Sequence, residues 1–123
     1  MVKRQNEQSV EMRENVCGGR GSVRVRNIFD PQEMEQARLF NHITIEPGAE
    51  FGTHTHHNEA EIYYVLSGEL LTGEKSGEYV LRPGDSSYTG DGAYHYLKNI
   101  GTEPAELIAV IVGKGSVTME SDV

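Results

Sequence analysis

The sequence predicts an all-β domain, and three observations carry the prediction. Runs of four to eight residues rich in Val, Ile, Leu and Tyr recur along the chain. Turn residues separate them at close intervals: Pro47-Gly48, Ser67-Gly68, Gly73, Ser76-Gly77, Pro83-Gly84, Gly90, Gly92 and Gly101. Within one run Leu39, Asn41, Ile43 and Ile45 alternate with Arg38, Phe40, His42 and Thr44, the period of a strand. Short, evenly spaced strands of this kind build a sandwich or a barrel.

The elements follow in order. Residues 1–15 are polar and without periodicity, and are expected to form a flexible N-terminal segment. Gly18-Gly19-Arg20-Gly21 lacks the Lys-Ser/Thr ending and the following helix of a phosphate loop, so it reads as a plain turn. Val23–Ile28 reads as a strand. Residues 31–37 read as one short helix, with Asp30 as its N-cap, Pro31 at its first position and Glu33 in its first turn. The alternating strand at 38–46 follows. Ile62–Leu66 and Leu107–Val112 are apolar on both faces, as strands covered on both sides are. Tyr79-Val80-Leu81, closed by Pro83, and Tyr94–Leu97 supply further strands. Residues 113–123 read as a flexible C-terminal tail, which leaves 16–112 as a single domain.

Composition narrows the function classes. At 123 residues the chain has room for one core. Its longest apolar run, Leu107–Val112, is far short of the ~20 residues of a membrane-spanning helix, and no apolar stretch near the start resembles a secretory leader. Cys17, the single cysteine, excludes an internal disulfide and a cysteine-based zinc finger. The formal net charge is −8, and it is unevenly spread. Residues 1–30 hold six Lys/Arg against four Asp/Glu, and residues 31–123 hold five against fifteen. A domain so acidic repels phosphate backbones, so neither nucleic acid nor a membrane is an expected partner. A cytoplasmic location is expected.

The chemistry concentrates in the histidines. His54 and His56 lie two apart and would share one face of a strand, a ready-made pair of ligands. Glu61 opens the next run after a short 57–60 connection, and its carboxylate would reach the same ion if that run folds back. His95 would complete the set from a distant strand. Three imidazoles and one carboxylate suit one divalent transition metal (Mn, Fe, Co, Ni, Cu or Zn) better than calcium. His57 has the opposite parity to its neighbours and reads as a loop residue. His42 shares a face with Arg38 and is expected in solvent.

The spacing of these residues resembles the cupin superfamily. Gly48-x5-His54-x-His56-x4-Glu61-x6-Gly68 matches the first motif of that family. Gly84-x5-Gly90-x-Gly92-x2-His95-x3-Asn99 matches the second, with Gly90 where the family usually has proline. The resemblance implies a cupin-type double-stranded β-helix barrel, jelly-roll-like, with His54, His56, Glu61 and His95 as metal ligands inside it. It also implies pairing of barrels into a homodimer, to which Val23–Ile28 would contribute by crossing onto a partner.

Strand parity predicts the lining around such a metal. Leu39, Asn41, Ile43 and Ile45 face inward, as do Tyr63 and Val65 with Glu61, Ala93 and Leu97 with His95, and Leu107, Ala109 and Ile111. The lining is therefore aliphatic, with Asn41 and the Tyr63 hydroxyl as candidate catalytic groups. Arg38 and Lys98 fall on the outward parity, which disfavours a sugar phosphate as substrate. No free acid or base faces inward unless a loop supplies His57, Glu59 or Glu50. The expected function is a metal-dependent enzyme acting on a small, mainly uncharged organic molecule by oxygenation, isomerisation or carbon–carbon cleavage. Two alternatives stand beside it: a metal-containing module that binds or senses a small molecule, and a scaffold barrel whose metal is structural. Only 47 residues precede the first motif and no helical pair is legible in them, which argues against a fused DNA-binding domain.

Overall fold

The computed structural model describes residues 1–119, and it is built almost wholly of antiparallel strands. Nine strands follow in chain order: β1 (Val10–Glu14), β2 (Ser22–Phe29), β3 (Ala37–Ile45), β4 (Glu50–Ser67), β5 (Leu70–Glu74), β6 (Gly77–Leu81), β7 (Ser86–Thr89), β8 (Tyr94–Asn99) and β9 (Ala105–Met119). They pair in the order β1-β2-β3-β9-β4-β8-β5-β6, with β7 added against β4. The long strands β4 and β9 organise the rest. β4 pairs with β8 through residues 50–55, with β9 through residues 54–67 and with β7 through residues 61–64. One strand thus serves both walls of a jelly-roll barrel.

The interior is the face that alternation predicts. Val23 and Val25 of β2, Ile43 and Ile45 of β3, Tyr63 and Val65 of β4, Leu97 of β8, and Leu107 and Ala109 of β9 form one apolar cluster. Burial of such side chains contributes roughly 1.5–3 kcal/mol each. Among the described residues no helix is long and apolar enough to cross a membrane.

Four expectations need correction. The helix over 31–37 is a single 3₁₀ turn, Pro31–Glu33, because Ala37 onward is claimed by pairing with β9. Its start is as expected: the Asp30 amide donates to Glu33 Oε1 at 2.7 Å. Residues 10–14 form β1 against β2, and residues 113–119 continue β9 against β4. Both segments are polar since each has an exposed or half-exposed course, and pairing of the backbone holds them. The part of the expected tail at 120–123 lies outside the described residues. Within the single chain, both edges of the strand Val23–Ile28 pair with β1 and β3. Ala93 is exposed, just before β8 begins.

The chain between β1 and β2 folds back onto β4. There the carbonyl of Cys17 lies so close to Gly52 that a Cβ on Gly52 would come within 2.1 Å of it. Gly19 faces the same constraint from Glu50 and Gly52. Both are tight backbone-on-backbone contacts, so only glycine lets this segment lie against the strand that carries His54. Gly52→Ala is therefore expected to lower stability by about 1–3 kcal/mol through overpacking, read as a lower urea midpoint with unchanged slope.

Candidate metal centre

Two features of β4 and β8 bring the four predicted side chains together. His54 of β4 sits directly opposite His95 of β8 in the register. His56 and Glu61 lie on the same strand as His54, five residues apart, and strict alternation would send them to opposite faces. Alternation is broken once between them. Asn58 takes a left-handed backbone conformation, φ 60°, which asparagine tolerates better than most residues. The register against β9 shifts at the same place, between His57 and Glu59. On one side of the break His54 and His56 are buried; on the other, Glu59, Glu61, Tyr63 and Val65 are. No separate connection is needed, and the expected loop at 57–60 is part of the strand.

The four ligand-type atoms converge. His95 Nε2 lies 2.9 Å from His54 Nε2, 3.0 Å from His56 Nε2 and 3.0 Å from Glu61 Oε1. Glu61 Oε1 is 3.1 Å from His56 Nε2 and 3.8 Å from His54 Nε2. All four side chains are buried, and the group could hold a metal ion. An ion with bonds near 2.1 Å has neighbouring ligands about 3.0 Å apart in an octahedron and about 3.4 Å apart in a tetrahedron. Most of the observed spacings match the octahedral edge. A five- or six-coordinate ion held by these four donors would keep room for a further ligand, unlike a closed structural zinc site.

Each imidazole is aimed by what its other nitrogen meets. His54 Nδ1–H donates to the Gly52 carbonyl at 2.7 Å, and His56 Nδ1–H to Glu59 Oε2 at 2.5 Å. Carbonyls and carboxylates only accept, so these partners define the tautomer and leave Nε2 for the centre. His95 Nδ1 is 2.8 Å from the Thr89 hydroxyl, which can accept its proton. Hydrogen-bonded backing of this kind orients metal-binding histidines generally. The His95 ring also stacks on Tyr63, with centroids 5.1 Å apart and planes 8° from parallel.

The electrostatics favour a bound cation. Burial pushes the Glu61 carboxyl up, but hydrogen bonds from the three imidazoles hold it well below the usual carboxylate range. Burial lowers His95 against the pull of Glu61. Burial likewise opposes charge on His54, yet Cys17 and Glu61 beside it push that imidazole up to about 10. A proton on His54 therefore takes the place of the cation when none is bound. Tyr63 keeps its proton, because burial and the adjacent Glu61 charge raise it well above the ordinary phenol value. It can donate a hydrogen bond and cannot serve as a base near neutral pH.

A cavity of about 160 Å³ opens beside this cluster. Its wall includes the expected Leu39, Asn41, Ile43, Tyr63 and Ile111. Asn41 is 1% exposed, and its Oδ1 has no hydrogen-bond partner. Three wall residues with functional groups, Arg38, Arg13 and Cys17, lie outside the predicted lining. Arg38 reaches the cavity because β3 carries one extra residue there: Ala37 and Leu39 pair with the adjacent Val112 and Ile111, so Arg38 is bulged out of the alternation. Arg13 and Cys17 arrive from β1 and the following turn, which have no apolar pattern to announce them. Glu59 is drawn inside by the break at Asn58, and that αL-tolerant residue was the one available signal. His57 stays at the rim, bonded to Thr118, and Glu50 is half-buried on the first course of β4. His42 is half-buried rather than in solvent, between Arg26 and Glu106.

Metal affinity is expected to fall on acidification. Uptake near neutral pH must displace the His54 proton, so each unit of pH removed weakens binding roughly tenfold. Chelator-competition titrations between pH 8 and 6 test this, and a flat profile would contradict the imidazole set.

Comparison with known proteins agrees with this geometry. The family model described as a cupin domain matches residues 41–111. The oxalate-binding protein of Thermotoga maritima is 34% identical over 113 residues, covering 91% of this chain and 93% of that protein. A Thermotoga maritima crystal structure described as a predicted oxalate decarboxylase superposes with a TM-score of 0.86 at 34% identity, over 93% of this chain and 100% of that one. The xanthan biosynthesis protein XanB of Xanthomonas campestris is 37% identical over 97 residues, 77% of this chain, which spans only 20% of XanB. The motif spacing, the jelly-roll topology and these matches agree: the chain belongs to the cupin family.

Proposed function

We propose that this protein binds a divalent transition metal through His54, His56, Glu61 and His95 and uses it to capture a small carboxylate, oxalate or a close analogue. The observation that carries this reading is the convergence of four buried donors, 2.9–3.1 Å apart in most pairs, beside so small a cavity. A cavity of about 160 Å³ has room for a small ligand. That suits a metal and a two- or three-carbon acid, and is far too small for a nucleotide sugar. An anion departs from the uncharged ligand expected: Arg13 and Arg38 line the wall with their guanidiniums paired to Glu11 and Glu59, and the cation held by the four donors would supply the attraction. The name of the 34% identical Thermotoga relative supports the same ligand.

When bound, the metal would supply a Lewis acid to which a carboxylate adds. The chain's own residues would do the rest. Asn41 offers an amide whose Nδ2–H would donate to a bound carboxylate, while its unpartnered oxygen would accept from a water. Tyr63 holds its proton and keeps the His95 ring in place. Leu39, Ile43 and Ile111 exclude bulk water.

A catalytic reading, oxygenation, isomerisation or carbon–carbon cleavage of the bound acid, would draw on a coordination position beyond the four protein donors, which a five- or six-coordinate ion would provide. Against it, the wall offers no carboxylate besides Glu61, and Tyr63 holds its proton. We also propose that the protein is a cytoplasmic homodimer. Phe29, Phe40, Val110, Ile62 and Tyr88 form one row across five strands on the outer face, and Tyr64 and Leu66 are exposed beside it. Such a patch suits a second copy of the chain.

Calorimetry of the metal-loaded protein should give saturable oxalate binding that chelation abolishes. His54→Ala should remove both metal and oxalate, and Asn41→Leu should keep the metal while weakening oxalate roughly fivefold, as for one lost hydrogen bond. Oxalate bound equally well without metal would refute the proposal. Loss of oxalate from the loaded protein over time, with formate or carbon dioxide appearing, would establish catalysis. Light scattering should give twice the 13.6 kDa chain mass, and a clean monomer would exclude the dimer.

A further inference from the structure

We propose that Glu59, clamped by Arg38, is a positioning residue of the metal centre, holding His56 in the one tautomer and ring orientation that point Nε2 inward. The inference rests on the metal-binding reading above and goes beyond it, because neither residue belongs to the ligand set.

The geometry is specific. The Glu59 side chain is entirely buried. Its Oε2 accepts from His56 Nδ1 at 2.5 Å and from Arg38 Nη2 at 2.7 Å, while Oε1 accepts from Arg38 Nε at 2.5 Å. The guanidinium therefore grips the carboxylate with two parallel bonds, the arrangement that gives arginine its directional hold. Held by both oxygens, the carboxylate cannot swing away from His56, and Oε2 stays in the plane the imidazole must adopt.

Two separate backbone irregularities are needed to make this contact. Strict alternation from His56 would turn residue 59 outward, and the left-handed Asn58 turns it in. Strict alternation from Leu39 and Asn41 would turn Arg38 outward, and the bulge against β9 turns it to the cavity wall. Both breaks occur at neighbouring places on the sheet, since Ala37 and Ala60 both pair with Val112. A surface ion pair would need neither. A buried carboxylate behind a histidine costs desolvation, and the arrangement is intelligible if its yield is a fixed imidazole.

Glu59 also differs from the other two backing groups. His54 and His95 lean on a carbonyl and a hydroxyl, both neutral, whereas His56 leans on a full charge. A charged acceptor makes an imidazole a stronger donor to a metal. His56 should thus be the histidine whose support matters most to affinity.

The test compares Glu59→Leu, Glu59→Gln and wild type. Both substitutions break the ion pair with Arg38, so a purely structural role would make them equally harmful to metal binding. Positioning predicts an order instead. Glu59→Gln keeps an oxygen to accept from Nδ1 and should lose less than tenfold in manganese or zinc affinity, while Glu59→Leu should lose roughly 10–100-fold. Long-range proton–nitrogen spectra of the metal-free proteins give an activity-independent readout. The His56 ring should be Nδ1-protonated in wild type and Glu59→Gln, and a tautomer mixture in Glu59→Leu. Equal affinities for Glu59→Leu and wild type, or an unchanged His56 tautomer, would overturn the inference. Failure of wild type itself to bind metal would instead overturn the metal reading on which it stands.

Discussion

A β-strand sends successive side chains to opposite faces, and His56 and Glu61 are an odd number of residues apart. That parity is the constraint on which the rest of the site depends. The two can face one interior only if the strand loses its alternation once between them, and the chain does so at Asn58. Before that point residues 54 and 56 face in, and after it residues 59, 61, 63 and 65 do. Everything in the centre follows from this single change of phase. It delivers Glu61 to the imidazoles, Tyr63 to the face of the His95 ring, and Glu59 to the back of His56. Across it the strand exchanges β8 for β7 as a partner while keeping β9.

The convergence of donors carries an energetic problem that the surroundings manage. Three imidazole nitrogens and a carboxylate oxygen, all on buried side chains, crowd together within 4.8 Å of one another. In the metal-free protein a proton on His54, kept there by Cys17 and Glu61, relieves the mutual repulsion. Glu61 remains ionised despite its burial, because the imidazoles beside it favour its charge. The same charge balance would be met better by a divalent cation. The backing groups on Nδ1 keep the rings from turning away to find other partners, so the site is organised before an ion arrives.

The cavity beside the centre has two kinds of wall. Its aliphatic wall comes from the alternating faces of β3 and β9, and its charged wall from places where alternation fails or where a turn folds over. Arg38 belongs to the first kind of exception and Cys17 to the second. Both show that polar character in this barrel comes from its irregularities, while its regular strands supply packing.

The sequence by itself determined the all-β class, the strand and turn order through the middle of the chain, and the four converging residues. These are local facts: residue type, spacing and the period of a strand are all written in neighbouring positions, and the match of two spaced motifs joined His95 to the rest. Tertiary structure decided what local pattern does not encode. A bulge exists only between two strands, so the inward turn of Arg38 and Glu59 waited on the register of β3 and β4 against β9. The polar segments 10–14 and 113–119 became strands because β2 and β4 offered open edges, and backbone hydrogen bonding asks little of side chains. The helix expected at 31–37 gave way to one turn for the same reason, since pairing with β9 outweighed a weak local preference.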